Sequence, residues 1–191
     1  MLTALAALVA TLGPGAASAF AGCPDEDLVP AGDNVARVTA AVVCLHNAER
    51  RAAGVGPLRS HRLLAVAATR HADDMVERRY FDHTTPDGLD PFGRMRRAGY
   101  IQRGIVWNAG ENIGWATGAL ATPRSMMDAW LRSYGHRLTL QASDFAQIGV
   151  GIAFGAPSSE HAARADAVTY AIDFGWREPC RRARGGRCRA A

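Results

Sequence analysis

The sequence predicts an α+β fold on three observations. Apolar residues recur at steps of three and four through residues 35–131, and the pattern then switches to strict alternation. Helices come before strands instead of alternating with them, which fits a layered α+β domain better than a repeated β-α-β unit. At 191 residues with 48% apolar content, the chain can bury one substantial core without depending on covalent staples.

Leu2 to Leu12 is an uncharged Ala/Leu-rich run followed by Gly-Pro-Gly and then Ala17-Ser18-Ala19. This reads as a secretory signal over residues 1–19, cut after Ala19, although it lacks the usual basic start. The run is too short to span a bilayer and nothing later matches it, so a soluble, secreted protein is expected. A lipobox at Phe20-Ala21-Gly22-Cys23, with Cys23 acylated, is disfavoured because Phe is unusual in its first place. Residues 20–39 form an N-terminal segment, the globular domain spans 40–176, and an Arg-rich tail covers 177–191.

Asp33 or Asn34 can cap a first helix carrying Val35, Val38, Val42 and Leu45, which Gly54 ends. Ser60 is placed to cap a second, with Leu64, Ala68, His71 and Met75 on one stripe. A lone histidine on an apolar face is expected to be packed and hydrogen-bonded, so His71 stays outside the site. Thr84 to Gly88 is a turn by composition. Asp90 caps and Pro91 opens a short helix with Phe92, Met95 and Ala98, closed by Gly99. The chain from Tyr100 to Trp107 should then run extended and deliver Gly110-Glu111-Asn112 at a strand end. Thr122 and Pro123 open a fourth helix, with Met126, Met127, Trp130 and Leu131 inward and Gly135 as the residue that ends it. Ile148, Val150, Ile152 and Phe154 alternate with Gly149, Gly151 and Ala153, a strand with one bulky and one small face that calls for a close neighbour. Val168, Tyr170, Ile172 and Phe174 repeat the alternation, so residues 155–167 link two antiparallel strands.

All 22 basic residues are Arg, which reflects a GC-rich genome more than selection for guanidinium chemistry, and the formal net charge is +4. Six Arg against one acid, Glu178, lie from Arg177 onward, so the positive charge belongs to the tail. That tail could hold an anionic cell-wall polymer, and a solvated terminus is the simpler reading. No aromatic-plus-basic face or nucleic-acid motif occurs, which excludes nucleic acid as a partner. Four cysteines behind a secretion signal imply two disulfides. Cys23–Cys44 with Cys180–Cys188 is preferred over Cys23–Cys180 with Cys44–Cys188. No C-x-x-C occurs, so a zinc-thiolate site is not expected.

Glu111 lies midway in sequence between two histidines with motif-like surroundings, His83 in Tyr80 to Gly88 and His136 in Trp130 to Arg137. All three are expected at element ends or in loops, where binding groups tend to sit. With His136 just past a helix end, the carbonyl dipoles there should ease its protonation.

The segments Leu45 to Arg50, Phe81-Asp82-His83-Thr84, Pro91-Phe92, Ala98-Gly99-Tyr100, Gly110-Glu111-Asn112-Ile113, Trp130 to Arg137 and Ile148 to Gly151 occur in an order that resembles bacterial members of the CAP superfamily. That superfamily groups cysteine-rich secretory, antigen 5 and pathogenesis-related proteins, whose shared unit is also called the SCP domain. The resemblance covers about residues 40–175. It implies a three-layer α-β-α sandwich around a central, mostly antiparallel sheet, an extracellular location, and a cavity lined by two histidines and two glutamates that can hold a divalent metal. His83, Glu111 and His136 match three of those four. Ser133 stands where the second glutamate would be, and Thr139 replaces a usual Asn.

Two imidazoles and one carboxylate are suitable zinc ligands with an open position. They come from separate loops, without an H-E-x-x-H helix or an identifiable general base, so only weak zinc binding is expected and no cofactor is required. Gly-x-Ser-x-Gly is absent. The resemblance instead implies a non-catalytic extracellular binding module for a lipid, sterol or cell-wall component, with Met126 and Met127 bordering an apolar groove. A metal-assisted, peptidase-like hydrolase using the His/Glu cavity is the alternative. A monomer is expected.

Overall fold

In a computed structural model of the chain, residues 22–161, 164–182 and 188–189 are described, with backbone alone for 181, 182, 188 and 189. The expected signal of residues 1–19 and the first half of the lipobox, Phe20-Ala21, lie outside the described residues.

Helix α1 spans Val35–Ala52 and buries Val38, Val42 and Leu45, as its spacing predicts. Asn34 precedes it without capping it, because its side chain instead accepts from the Ala31 N–H at 2.9 Å. Strand β1, Arg59–Ser60, leads into α2, Arg62–Arg78. Ser60 is therefore a strand residue, and the cap is His61, whose Nδ1 accepts from the Leu63 N–H. Helix α3, Pro91–Arg97, begins as predicted, with Asp90 accepting from Gly93 and Pro91 in the first turn. Strand β2 follows over Ile105–Thr117, then α4, Pro123–Arg132, and α5, Tyr134–Gln141. Strands β3, Gln147–Phe154, and β4, Ala167–Pro179, complete the main sheet, and β5, Arg181–Arg182, pairs with β6, Cys188–Arg189.

The sheet order is β1-β3-β4-β2, antiparallel except for the parallel β1–β3 pair. One face carries Ile148, Val150, Ile152, Tyr170, Ile172 and Phe174, which join Val38, Val42 and Leu45 of α1 and Met127 and Trp130 of α4 in the main core. The other face carries small residues, and α2 lies on it through Ala68, Ala72 and Met75 against Ala153 and Ala171. A Cβ at Gly149 would meet the Leu64 carbonyl carbon at 2.2 Å, and one at Gly151 would meet that of Ala68 at 2.2 Å. These glycines set the helix-to-sheet distance. Helices on both faces give the α-β-α layering that the resemblance implied.

Buried Arg50 fastens α1 to the segment after α5. Its guanidinium donates to the carbonyls of Gly56, Leu140, Ala142 and Phe145 at 2.7–2.9 Å. Cys23 and Cys44 are joined, with Cα atoms 5.8 Å apart, as expected, so the Cys23 thiol is committed to the disulfide and not to acylation. Cys180 is also disulfide-bonded, while the side chain of Cys188 lies outside the described residues.

Two expectations need correcting. Glu111 is the seventh of thirteen residues of β2, not at a strand end, because Gly110 and Gly114 interrupt the apolar alternation that would have shown the strand. Gly135 does not end the fourth helix. Ser133 breaks it with an extended backbone, φ −88° and ψ 121°, and Gly135 sits inside α5.

Gly151→Ala should force α2 away from the sheet and cost about 3 kcal/mol, at the upper end of overpacking penalties, because the obstacle is backbone. Urea denaturation of the variant checks this. Unchanged stability would show that α2 can shift freely.

Candidate functional site

The carboxylate of Glu111 is buried among several polar side chains. It projects from β2 onto the α2 side of the sheet, directly across from Asp173 of β4. His83 Nδ1 donates to its Oε1 at 2.8 Å, and Arg94 Nη2 donates to its Oε2 at 2.6 Å. His71 Nε2 lies 3.8 Å from Oε1. Arg94, only 6% exposed, also donates through Nη1 to the carbonyls of His83 and Leu89 at 2.8 and 3.0 Å. The same guanidinium thus holds the loop bearing His83 and neutralises the acid that His83 touches.

Burial pushes Glu111 upward, but the His83 hydrogen bond and the Arg94 and His71 charges hold its pKa below the usual value. Asp173 goes the other way. Burial first, then the neighbouring Glu111 charge, pushes it well above the carboxylate range, and it hydrogen-bonds Glu111. Burial and the Glu111 charge thus favour the neutral form of Asp173, while Glu111 is held towards its ionised form. His83, half exposed, is raised by its hydrogen bond to Glu111. Tyr80 gives its one hydroxyl proton to Asp74 at 2.5 Å, so its 3.4 Å contact with His71 requires Nδ1–H as donor. That tautomer leaves His71 Nε2 without a partner, facing Glu111. Burial lowers His71 to about 4.

His136 and Ser133 stand at a different place from the one the sequence suggested. Ser133 separates α4 from α5, and His136 is in the first turn of α5, so the helix-end argument for easier protonation fails. Burial, then the His83 charge, lowers its pKa. Both residues line a groove of about 590 Å³ between α4 and the outer edge of β2, with Phe81, Ile113, Trp115, Leu120, Met126 and Trp130 among its walls. Asn112, on the opposite face of β2 from Glu111, ties the two elements by donating to the His136 carbonyl at 3.0 Å. His83 and Glu111 thus pair directly, and His136 comes near enough to feel the His83 charge.

A divalent ion would need Glu111 as its anionic ligand, yet both carboxylate oxygens already accept charged or polar donors. Among the described residues, no group of three or more His, Cys, Asp or Glu side chains is arranged to hold a metal. His83, Glu111 and His136 as they stand do not fit such an ion.

Sequence reasoning missed His71, Arg94 and Asp173. The signal for Asp173 was present, as an acid inside the apolar run Tyr170 to Phe174 with no loop to expose it. Arg94 carried no signal among 22 arginines. His71 was correctly expected to be packed, but its packing partner is the site itself.

The CAP, cysteine-rich secretory protein family, profile matches residues 43–171. The YkwD protein of Bacillus subtilis (strain 168) is 39% identical over 110 residues, 58% of this chain and 40% of that protein. The membrane protein YlbC of the same organism is 31% identical over 113 residues, 58% of this chain and 30% of that one. The chain thus matches less than half the length of either relative. An extracellular SCP-domain protein from Bacillus anthracis shares the fold at TM-score 0.57 and 24% identity, over 76% of this chain and 43% of that one. An outer surface protein from Borrelia burgdorferi does so at TM-score 0.57 and 17% identity, over 78% of this chain and 97% of that one.

Arg94→Met should strand the Glu111 charge and destabilise by about 3–5 kcal/mol, with much of that recovered in Arg94→Met/Glu111→Gln. Equal losses in single and double variants, by urea denaturation at pH 7, would refute the pairing. A pH dependence follows as well. His71 and His46 both fall to about 4 through burial, so the unfolded chain binds their protons first and stability drops as pH falls from 6.5 towards 4. Each contributes up to roughly 3 kcal/mol at 1.36 kcal/mol per unit. The raised His83 acts oppositely, stabilising below 6.5 and losing its contribution as pH rises through its folded pKa. His46→Gln should flatten the acid slope, and an unaltered slope would contradict the assignment.

Proposed function

The chain belongs to the CAP, or cysteine-rich secretory protein, family, and on that premise we propose that it is an extracellular, non-catalytic binding module. Its ligand site is the groove of about 590 Å³ between the edge of β2 and α4. That volume suits a small ligand, and its walls suit one with apolar surface, such as a lipid or another small apolar molecule. The observation that carries this reading is the pairing of an open apolar groove with a polar cluster whose charges are already matched. Phe81 and Leu120 stand at its rim with 45% and 69% exposure, large side chains left for a partner to cover. Glu111, by contrast, is engaged by His83, Arg94 and Asp173, and so acts as an internal tie more than as a base or a metal ligand. The Arg94 guanidinium serves as the cation of this site.

Location outside the cell is supported by the Cys23–Cys44 disulfide and the leader-like start of the sequence. Among the described residues no helix is long and apolar enough to cross a membrane.

Dodecanoate should perturb the fluorescence of Trp115 and Trp130, and Leu120→Arg should weaken its binding about tenfold, the value of losing one apolar contact surface. A panel of peptide, ester and peptidoglycan substrates should show no turnover. Turnover that vanishes in Glu111→Gln while the melting temperature holds would replace this reading with that of a hydrolase.

A further inference from the structure

The floor of the groove is a strand edge, and its backbone direction follows from the register. His61 and Arg59 donate their N–H groups to the carbonyls of Ile148 and Ala146, so the even-numbered residues of β3 turn their backbone groups towards β1. Gly149, Gly151 and Ala153 must then face β4, where they sit opposite Asp173, Ala171 and Thr169. Those three residues spend their N–H and C=O on β3. Their partners on the other side, Glu111, Ile113 and Trp115, therefore direct backbone groups away from the sheet. The Trp130 indole confirms the direction independently, donating to the Ile113 carbonyl at 3.0 Å.

That bond takes one acceptor. The N–H of Ile113 and both the N–H and C=O of Trp115 have no hydrogen-bond partner among the described residues, and both residues line the groove. Exposed edges are ordinarily blunted by proline, charge or a bulge. From Asn112 to Thr117 this one has no proline and no charged residue, and its thirteen pairs with β4 run without a bulge. The charges sit beside it. Arg132 lines the groove with no hydrogen-bonded acid among the described residues, His136 lies beside Asn112, and Asp128 lies one helical turn before Arg132 on α4.

We propose that the groove accepts an extended polypeptide segment as a fifth strand along β2, hydrogen-bonded at Ile113 and Trp115, with an acidic group against Arg132 and His136. The proposal rests on the groove being a ligand site and assigns it a polypeptide occupant in addition to small apolar ligands. Only a polypeptide repeats donors and acceptors at the spacing of a strand edge, and its alternate side chains would meet Phe81, Leu120 and Met126. An acidic terminus supplies a counter-charge for Arg132, with the His136 imidazole beside it as a hydrogen-bonding group.

The test uses a synthetic hexapeptide of alternating threonine and valine ending in aspartate, titrated into the ¹⁵N-labelled protein. The amide signals of Ile113 and Trp115 should shift. N-methylation of alternate peptide amides should weaken binding about tenfold, through the loss of one or two net hydrogen bonds. Ala129→Trp, at an exposed position on the groove wall, should weaken it similarly, and the N-methyl arm decides alone if that variant does not fold. Equal affinity for the N-methylated peptide, or no shift at Ile113 and Trp115, overturns the proposal. Binding of dodecanoate without binding of the hexapeptide overturns it too, while leaving the apolar groove intact.

Discussion

The Arg94–Glu111 pair is the constraint on which the site depends. A buried ion pair adds little net stability by itself, since desolvation offsets most of the attraction. Its effect here is positional. One guanidinium reaches the strand carboxylate and the carbonyls of His83 and Leu89, so helix α3, the turn before it and the middle of β2 are fixed together. Asp173 takes part through its raised pKa, since burial and the Glu111 charge both work against a second charge in the core. Remove the cation and three structural elements lose a common anchor.

A second arginine works differently. Among the described residues, Arg50 hydrogen-bonds to four backbone carbonyls and to no carboxylate. A lysine could not serve, because its compact ammonium lacks the planar fork that reaches four acceptors at once. The two buried arginines thus divide the labour: one neutralises a strand acid, and the other satisfies the backbone where α5 turns towards β3. Codon bias explains why these residues are not lysine anywhere in the chain, yet at these two positions the geometry requires arginine as well.

Much of this architecture was legible in the sequence. The bulky and small faces of β3 were visible in Gly149 and Gly151, and α2 occupies the small side. The Asp90-Pro91 start of α3 was read correctly from local chemistry. What the sequence concealed depended on tertiary placement. Strand β2 was masked by Gly110 and Gly114, where Phe145, Thr139, Met126 and Trp130 pack closely against a bare backbone. The α4–α5 break was misread because Gly135 looked like a stop, whereas the extended Ser133 makes the turn. His71 and Asp173 reach the site only because α2 and β4 meet over Glu111, a contact between residues far apart in the chain.

The order of strands in the sheet bears on when the protein can fold. β4 lies between β2 and β3, yet it is the last of the four to be synthesised. Until residues 167–179 are available, neither β2 nor β3 has its antiparallel partner, and Glu111 lacks Asp173. Such non-local pairing slows folding. The sheet therefore closes last at its centre, and β2, with the Glu111 it carries, waits for the end of the domain before its backbone is paired.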